Sequence, residues 1–147
     1  MHPFQIVMIV IAGSALVAGG ALALVRRQAA ALRAEIQRSG EQLVLGPSMA
    51  HYQTASLVGT MFTGNLALTD RRLVFRKITG GDVVLPLSDL RSVTEGLWFG
   101  GRTRNGRPWL ILTRTDDSQV GFMVRPHKEW MHAVWEGIRP PETPPNP

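Results

Sequence analysis

From Phe4 to Val25 (FQIVMIVIAGSALVAGGALALV) the chain runs for 22 residues without a charged side chain, and no other feature constrains its folding as much. A helix rises about 1.5 Å per residue, so this run would be about 33 Å long, enough to cross a hydrocarbon core of about 30 Å. It predicts one transmembrane helix, with the anchor over residues 1–25. The rival reading is a cleaved signal peptide, since Ala21-Leu22-Ala23 has the form of a cleavage site. Two features weigh against it: Met1-His2-Pro3 brings no Lys or Arg, and the run exceeds an ordinary signal core of about 7–15 residues.

Charge then sets the orientation. The 147 residues hold 16 Lys+Arg against 11 Asp+Glu, a net charge of +5. Three of those five units lie in residues 26–40, which carry four Arg and one Glu. Arg26 and Arg27 are the topology residues, followed by Arg33 and Arg38, and nothing basic except His2 precedes the apolar run. The positive-inside rule therefore puts the rest of the chain in the cytoplasm, tied to the cell membrane by a single pass. Residues 26–40 read as a basic juxtamembrane helix, since RRQAAALRAEIQR is made of good helix formers and Gly40 can stop it. Within the anchor, Ala15, Gly19 and Ala23 form a small-residue face at four-residue spacing, a candidate helix-packing surface for a homo-oligomer.

Beyond Gly40 the pattern is short apolar runs separated by turn residues, the signature of β structure. Gln42 to Leu45 reads as a first strand stopped by Gly46-Pro47, and Ser48 to Thr63 has no clear period. Leu66 and Leu68 alternate on one face, Thr69-Asp70-Arg71 turns the chain, and Leu73 and Phe75 alternate on the way back, which predicts an antiparallel hairpin. A turn at Thr79-Gly80-Gly81-Asp82 leads to a strand from Val83 to Leu85, then to a helical turn at Ser88-Asp89-Leu90. The next strand is expected over Arg91 to Phe99, followed by a flexible basic loop from Gly100 to Pro108. Strands from Trp109 to Thr113 and from Gln119 to Val124 complete the series. The run HKEWMHAVWEGI then sets Trp130, Val134 and Ile138 at four-residue spacing beside Met131 and Trp135, an amphipathic helix able to cover the open end of a small barrel. The tail over residues 139–147 is Pro-rich and reads as disordered.

GNLALTDRRLVF, from Gly64 to Phe75, followed by VVLPLSDLRSV, from Val83 to Val93, resembles the GRAM and bacterial PH-like domains. The segment around Trp130 looks like their terminal helix. The resemblance covers about residues 41–138 and implies a mainly β fold: a PH-like antiparallel barrel of six to seven strands capped by a C-terminal α-helix, here preceded by a single transmembrane helix. It also implies a module that binds membrane lipids or protein segments and performs no chemistry. The dense basic cluster of phosphoinositide-binding PH domains is absent from the first hairpin loop.

The candidate binding residues are cationic. Arg102, Arg104 and Arg107 in the Gly-rich loop could grip an anionic headgroup or phosphate, because guanidinium forks match such oxygens. Arg71, Arg72, Arg76 and Lys77 form a second group, of which Arg71 and Arg76 are further anion-binding candidates, while Arg72 is expected to pair with Asp70 or turn carbonyls. With no Cys, and His2, His51, His127 and His132 outside any H-E-x-x-H pattern, no metal or cofactor is expected. No nucleophile motif points to an enzyme. Trp98 and Trp109 flank the basic loop, yet a net +2 over residues 41–147 argues against nucleic acid. With 14 Arg against two Lys, the composition suits a GC-rich bacterial genome. The function these features imply is a noncatalytic binding module at the inner membrane surface, for anionic lipid or a protein partner. The alternative is a scaffold subunit assembled through its transmembrane helix.

Overall fold

A computed structural model describes residues 3–139, with side chains from Gly19 onward. The order is α1 (Pro3–Ser39), β1 (Leu43–Thr54), β2 (Phe62–Thr69), β3 (Arg72–Lys77), β4 (Asp82–Pro86), a 3-10 turn (Leu87–Asp89), β5 (Leu90–Gly96), β6 (Trp109–Arg114), β7 (Gln119–Val124) and α2 (His127–Ile138). The seven strands form one antiparallel sheet in the order β4-β3-β2-β1-β7-β6-β5. Long β1 pairs with both β2 and β7 and so curls the sheet. No pairing joins β4 to β5, so this is an open half-barrel, with α2 packed beside β5 and the 3-10 turn.

Alternation along the strands gives the sheet two buried faces. Leu66, Leu68, Leu73 and Phe75 point inward with Leu110, Leu112 and Phe122. Three rings meet at the centre, Tyr52 lying 5.4 Å from Phe75 and 5.2 Å from Phe122. Trp130 and Val134 of α2 close this core and are fully buried. Trp135 does not join them and remains 46% exposed, because the turn between them carries it away from the sheet.

Two strand expectations need correction. Gly46-Pro47 does not end the first strand. Gly46 adopts φ 84° within 2.5 Å, at its would-be Cβ, of the Leu66 carbonyl, so the chain bulges there and pairing resumes at Ser48 opposite Leu66. The strand after the 3-10 turn stops at Gly96 rather than Phe99, because Phe99 leaves it to pack on Trp109.

The outward face is covered as well. Ala67 and Val74 lie beneath Leu32 and Ile36 of α1, and Asn65 Nδ2 donates to the Val25 carbonyl at 3.2 Å. Gln28 Nε2 donates to Ile78 O at 3.0 Å. At the other end of the same strand, Thr69 Oγ1 donates to Glu41 at 2.7 Å. The helix thus descends along β2, turns at Gly40, and β1 returns in the opposite sense. Residues 26–39 are therefore part of the packed domain.

The apolar run enters this picture only in part. Side chains of residues 1–18, Ala15 among them, lie outside the described residues, as do residues 140–147 of the tail. Among the described residues no helix is long and apolar enough to cross a membrane.

Candidate functional site

The cations of the β2–β3 hairpin are mostly engaged in holding the domain together. Arg76 donates through Nε to Asp82 Oδ1 at 2.9 Å and through Nη2 to Asp82 Oδ2 at 2.8 Å and Glu35 Oε2 at 2.6 Å. The bonds to Asp82 and then Glu35 raise its pKa, so its charge is committed to clasping α1, β3 and β4. Arg72 pairs with Glu41 at 2.9 Å rather than with either expected partner, Asp70 or the turn carbonyls. Asp70 instead accepts from the Gln42 amide at 3.0 Å, because the end of α1 brings Glu41 beside Thr69. Burial alone would raise the Glu41 carboxyl, but hydrogen bonds from Thr69 and Arg72 outweigh it and hold its pKa below the ordinary value. Lys77 Nζ sits 4.3 Å from the centre of the Phe62 ring. Arg71 is the exposed member of the group.

The Gly-rich loop between β5 and β6 is strapped to the outward face of β1 and β7. Phe99 packs with Trp109 and Met123, and the close approach needs Gly121, where a Cβ would stand 2.5 Å from the Phe99 ring. Buried Gln53 donates to Gly100 O at 2.8 Å. Arg102 Nη2 donates to Gly59 O at 2.8 Å, and Arg104 Nη1 reaches Met61 Sδ at 3.5 Å. The three arginines therefore do not converge. Arg102 and Arg104 tie the loop to the β1–β2 connection, while Arg107 turns back toward the middle of β1.

There Arg107 borders a groove of about 550 Å³ lined by Ser48, Met49, His51, Pro108, Met123, Arg125 and His127, among others. Its floor is apolar and its rim cationic, and no carboxylate lines it. His51 Nδ1 lies 3.0 Å from Thr63 Oγ1. Burial, and then the charges of Arg104 and Arg107, push the His51 pKa down. His127 Nε2 meets Glu95 at 2.8 Å behind the rim. Such a groove can take an anionic group with an apolar extension. Sequence reasoning found Arg107 but missed His51 on β1 and, 74 and 76 positions further on, Arg125 and His127 at the passage from β7 into α2. The signal available was the outward register of His51 and Met123, which pair directly. Among the described residues no group of three or more His, Cys, Asp or Glu could hold a metal ion.

No known protein family matches the chain, and no curated protein matches its sequence. Solved structures do resemble it. The crystal structure of the C-terminal domain of an unknown protein from Leishmania infantum aligns with a TM-score of 0.58 at 10% identity, covering 74% of this chain and 95% of that one. The Vps36 N-terminal PH domain aligns with a TM-score of 0.52 at 20% identity, covering 68% of this chain and 80% of that one. At these identities the likeness concerns the fold, and the chain has a PH-like fold.

Proposed function

We propose that this chain is a single-pass membrane protein whose GRAM-type, PH-like domain is a noncatalytic binding module on the cytoplasmic side. The observation that carries the reading is the upper part of α1. Residues 19–24 are exposed throughout, with Leu22 at 51% and Leu24 at 45%, just where Arg26 and Arg27 end the charge-free run. A helix apolar on all sides is not a stable solvent-facing element and calls for a nonpolar surround. Alkaline carbonate extraction tests it: the chain stays in the membrane pellet, and release into the supernatant overturns the anchor.

The binding reading is supported by the groove, which offers shape and positive charge to an anionic group such as a lipid phosphate. In nanodiscs of neutral phosphatidylcholine, adding a short-chain phosphatidylglycerol should shift the His51 ring resonances, and more strongly on acidification below the ordinary imidazole range, since burial and then Arg104 and Arg107 hold its pKa down. Joint Arg107→Ala and Arg125→Ala substitution should remove the shift. An unchanged response in that variant would remove the groove from consideration.

A scaffold role is the second reading. Gly19 and Ala23 are both exposed on α1, open for another helix to approach. Crosslinking in membranes that yields only monomer would count against it.

A further inference from the structure

We infer that the groove on the outward face is a haem site, in which His51 ligates the iron, the ring lies against Met49 and Met123, and Arg107 and Arg125 take the propionates. This ligand assignment rests on the groove being the binding site proposed above. A lipid phosphate would use only the cations of the rim. It gives no part to the imidazole set between two thioethers on the floor.

His51 and Met123 are cross-strand partners on β1 and β7, so their Cβ atoms stand about 4.5–5.5 Å apart on the same face. Met49 precedes His51 by two residues on the strand and shares that face. All three line the groove. Thr63 Oγ1 lies 3.0 Å from His51 Nδ1, which holds the ring and leaves Nε2 for a metal, the outer bond that ligating histidines commonly keep. Burial, and then the charges of Arg104 and Arg107, favour the neutral imidazole, the form that ligates. His127 does not replace it, because its Nε2 is taken by Glu95.

Iron already held by a porphyrin asks the protein for a single nitrogen, as a proximal His supplies it. A bare cation needs a cluster of ligands, and among the described residues no group of three or more His, Cys, Asp or Glu supplies one. A bare cation would also meet a positive rim, whereas haem with ionised propionates is an anion. Arg72, Arg76 and Arg91 are held in ion pairs, but among the described residues Arg107 and Arg125 are in none. Arg107 comes from the β5–β6 loop and Arg125 from the passage between β7 and α2, and guanidinium forks match carboxylate oxygens. No carboxylate of the protein competes along the lining. The volume of about 550 Å³ lies within the usual range of cofactor sites, about 300–1,000 Å³. Met49, 57% exposed, is covered once a flat apolar ring lies over it.

Titrating ferric haem into the full-length protein in phosphatidylcholine nanodiscs tests this, with empty nanodiscs as the blank for haem dissolved in lipid. The expected result is a shifted Soret band that saturates at one haem per chain. His51→Ala should abolish the shift, and free imidazole should restore it, which also shows that the variant folds. Joint Arg107→Ala and Arg125→Ala substitution should leave the band position unchanged and weaken binding by about tenfold or more, as expected when hydrogen bonds to charged groups are lost. A Soret shift that is equal in His51→Ala, or no larger than in empty nanodiscs, overturns the haem site. In that event, His51 resonances that still answer to short-chain phosphatidylglycerol leave the groove standing as an anion site, and resonances that do not answer remove both readings.

Discussion

Glu41 is where three elements are joined by single side chains. It follows α1, precedes β1, and accepts from both Thr69 and Arg72 across the β2–β3 turn. Because its folded pKa lies below the ordinary value, its contribution to stability is present above about pH 4.3, the usual glutamate value, and is lost as pH falls through the lower folded pKa. Denaturation of the chain and of Glu41→Gln should therefore differ most near neutral pH and converge on acidification. A difference that stays constant down to about pH 3 would contradict this role. Residue types alone made Asp70 the natural partner of Arg72, since the two are neighbours in a turn. The actual partner is 31 positions away, and only the docking of α1 reveals it.

At the scale of elements, the two tryptophans of α2 separate what periodicity can and cannot specify. Trp130 is fully buried against the sheet, and Trp130→Ala should cost about 3–5 kcal/mol in chemical denaturation. Trp135→Ala, at a half-exposed position, should cost less than a third of that, and equal losses would mean that the helix face has been misread. The spacing of Trp130, Val134 and Ile138 identified the helix and its direction, because a single periodic face suffices for that. It could not say that Trp135 would be left outside, since that depends on how widely the half-barrel opens between β4 and β5. The hairpin from Gly64 to Phe75 was legible for the same reason as the helix: Leu66, Leu68, Leu73 and Phe75 alternate over a tight turn. Ser48 to Thr63 was not legible. The outward positions of β1 carry Met49, His51 and Gln53, with Met49 exposed and polar Gln53 buried under the Phe99 loop, so apolar and polar residue types do not follow the two faces. The candidate groove was legible only at Arg107, since the other members come together through the pairing of β1 with β7.

For the whole molecule, the boundary drawn at residue 41 from the strand pattern and the family resemblance cuts through a packed interface. Leu32 and Ile36 are each 1% exposed, covering Ala67 and Val74. A fragment of residues 26–147 should unfold cooperatively and remain monomeric, whereas 41–147 should expose that apolar face, lose several kcal/mol on the scale of two large buried aliphatic side chains, and aggregate. Sedimentation of the two fragments decides it, and equal behaviour would mean that the helix packs without contributing.

The clasp between α1 and the sheet also determines how the domain can search. A module on a flexible tether explores a volume whose radius grows with linker length. Here Gln28, Leu32, Glu35 and Ile36 of one continuous helix, and Glu41 just after it, are fastened to β2, β3 and the β3–β4 turn, leaving no swivel between stalk and binding surface. Once the helix is set in a bilayer as proposed, the groove moves at one fixed height with one face forward. Its encounters are then governed by lateral diffusion in two dimensions, and a tilt of the helix is at once a tilt of the groove.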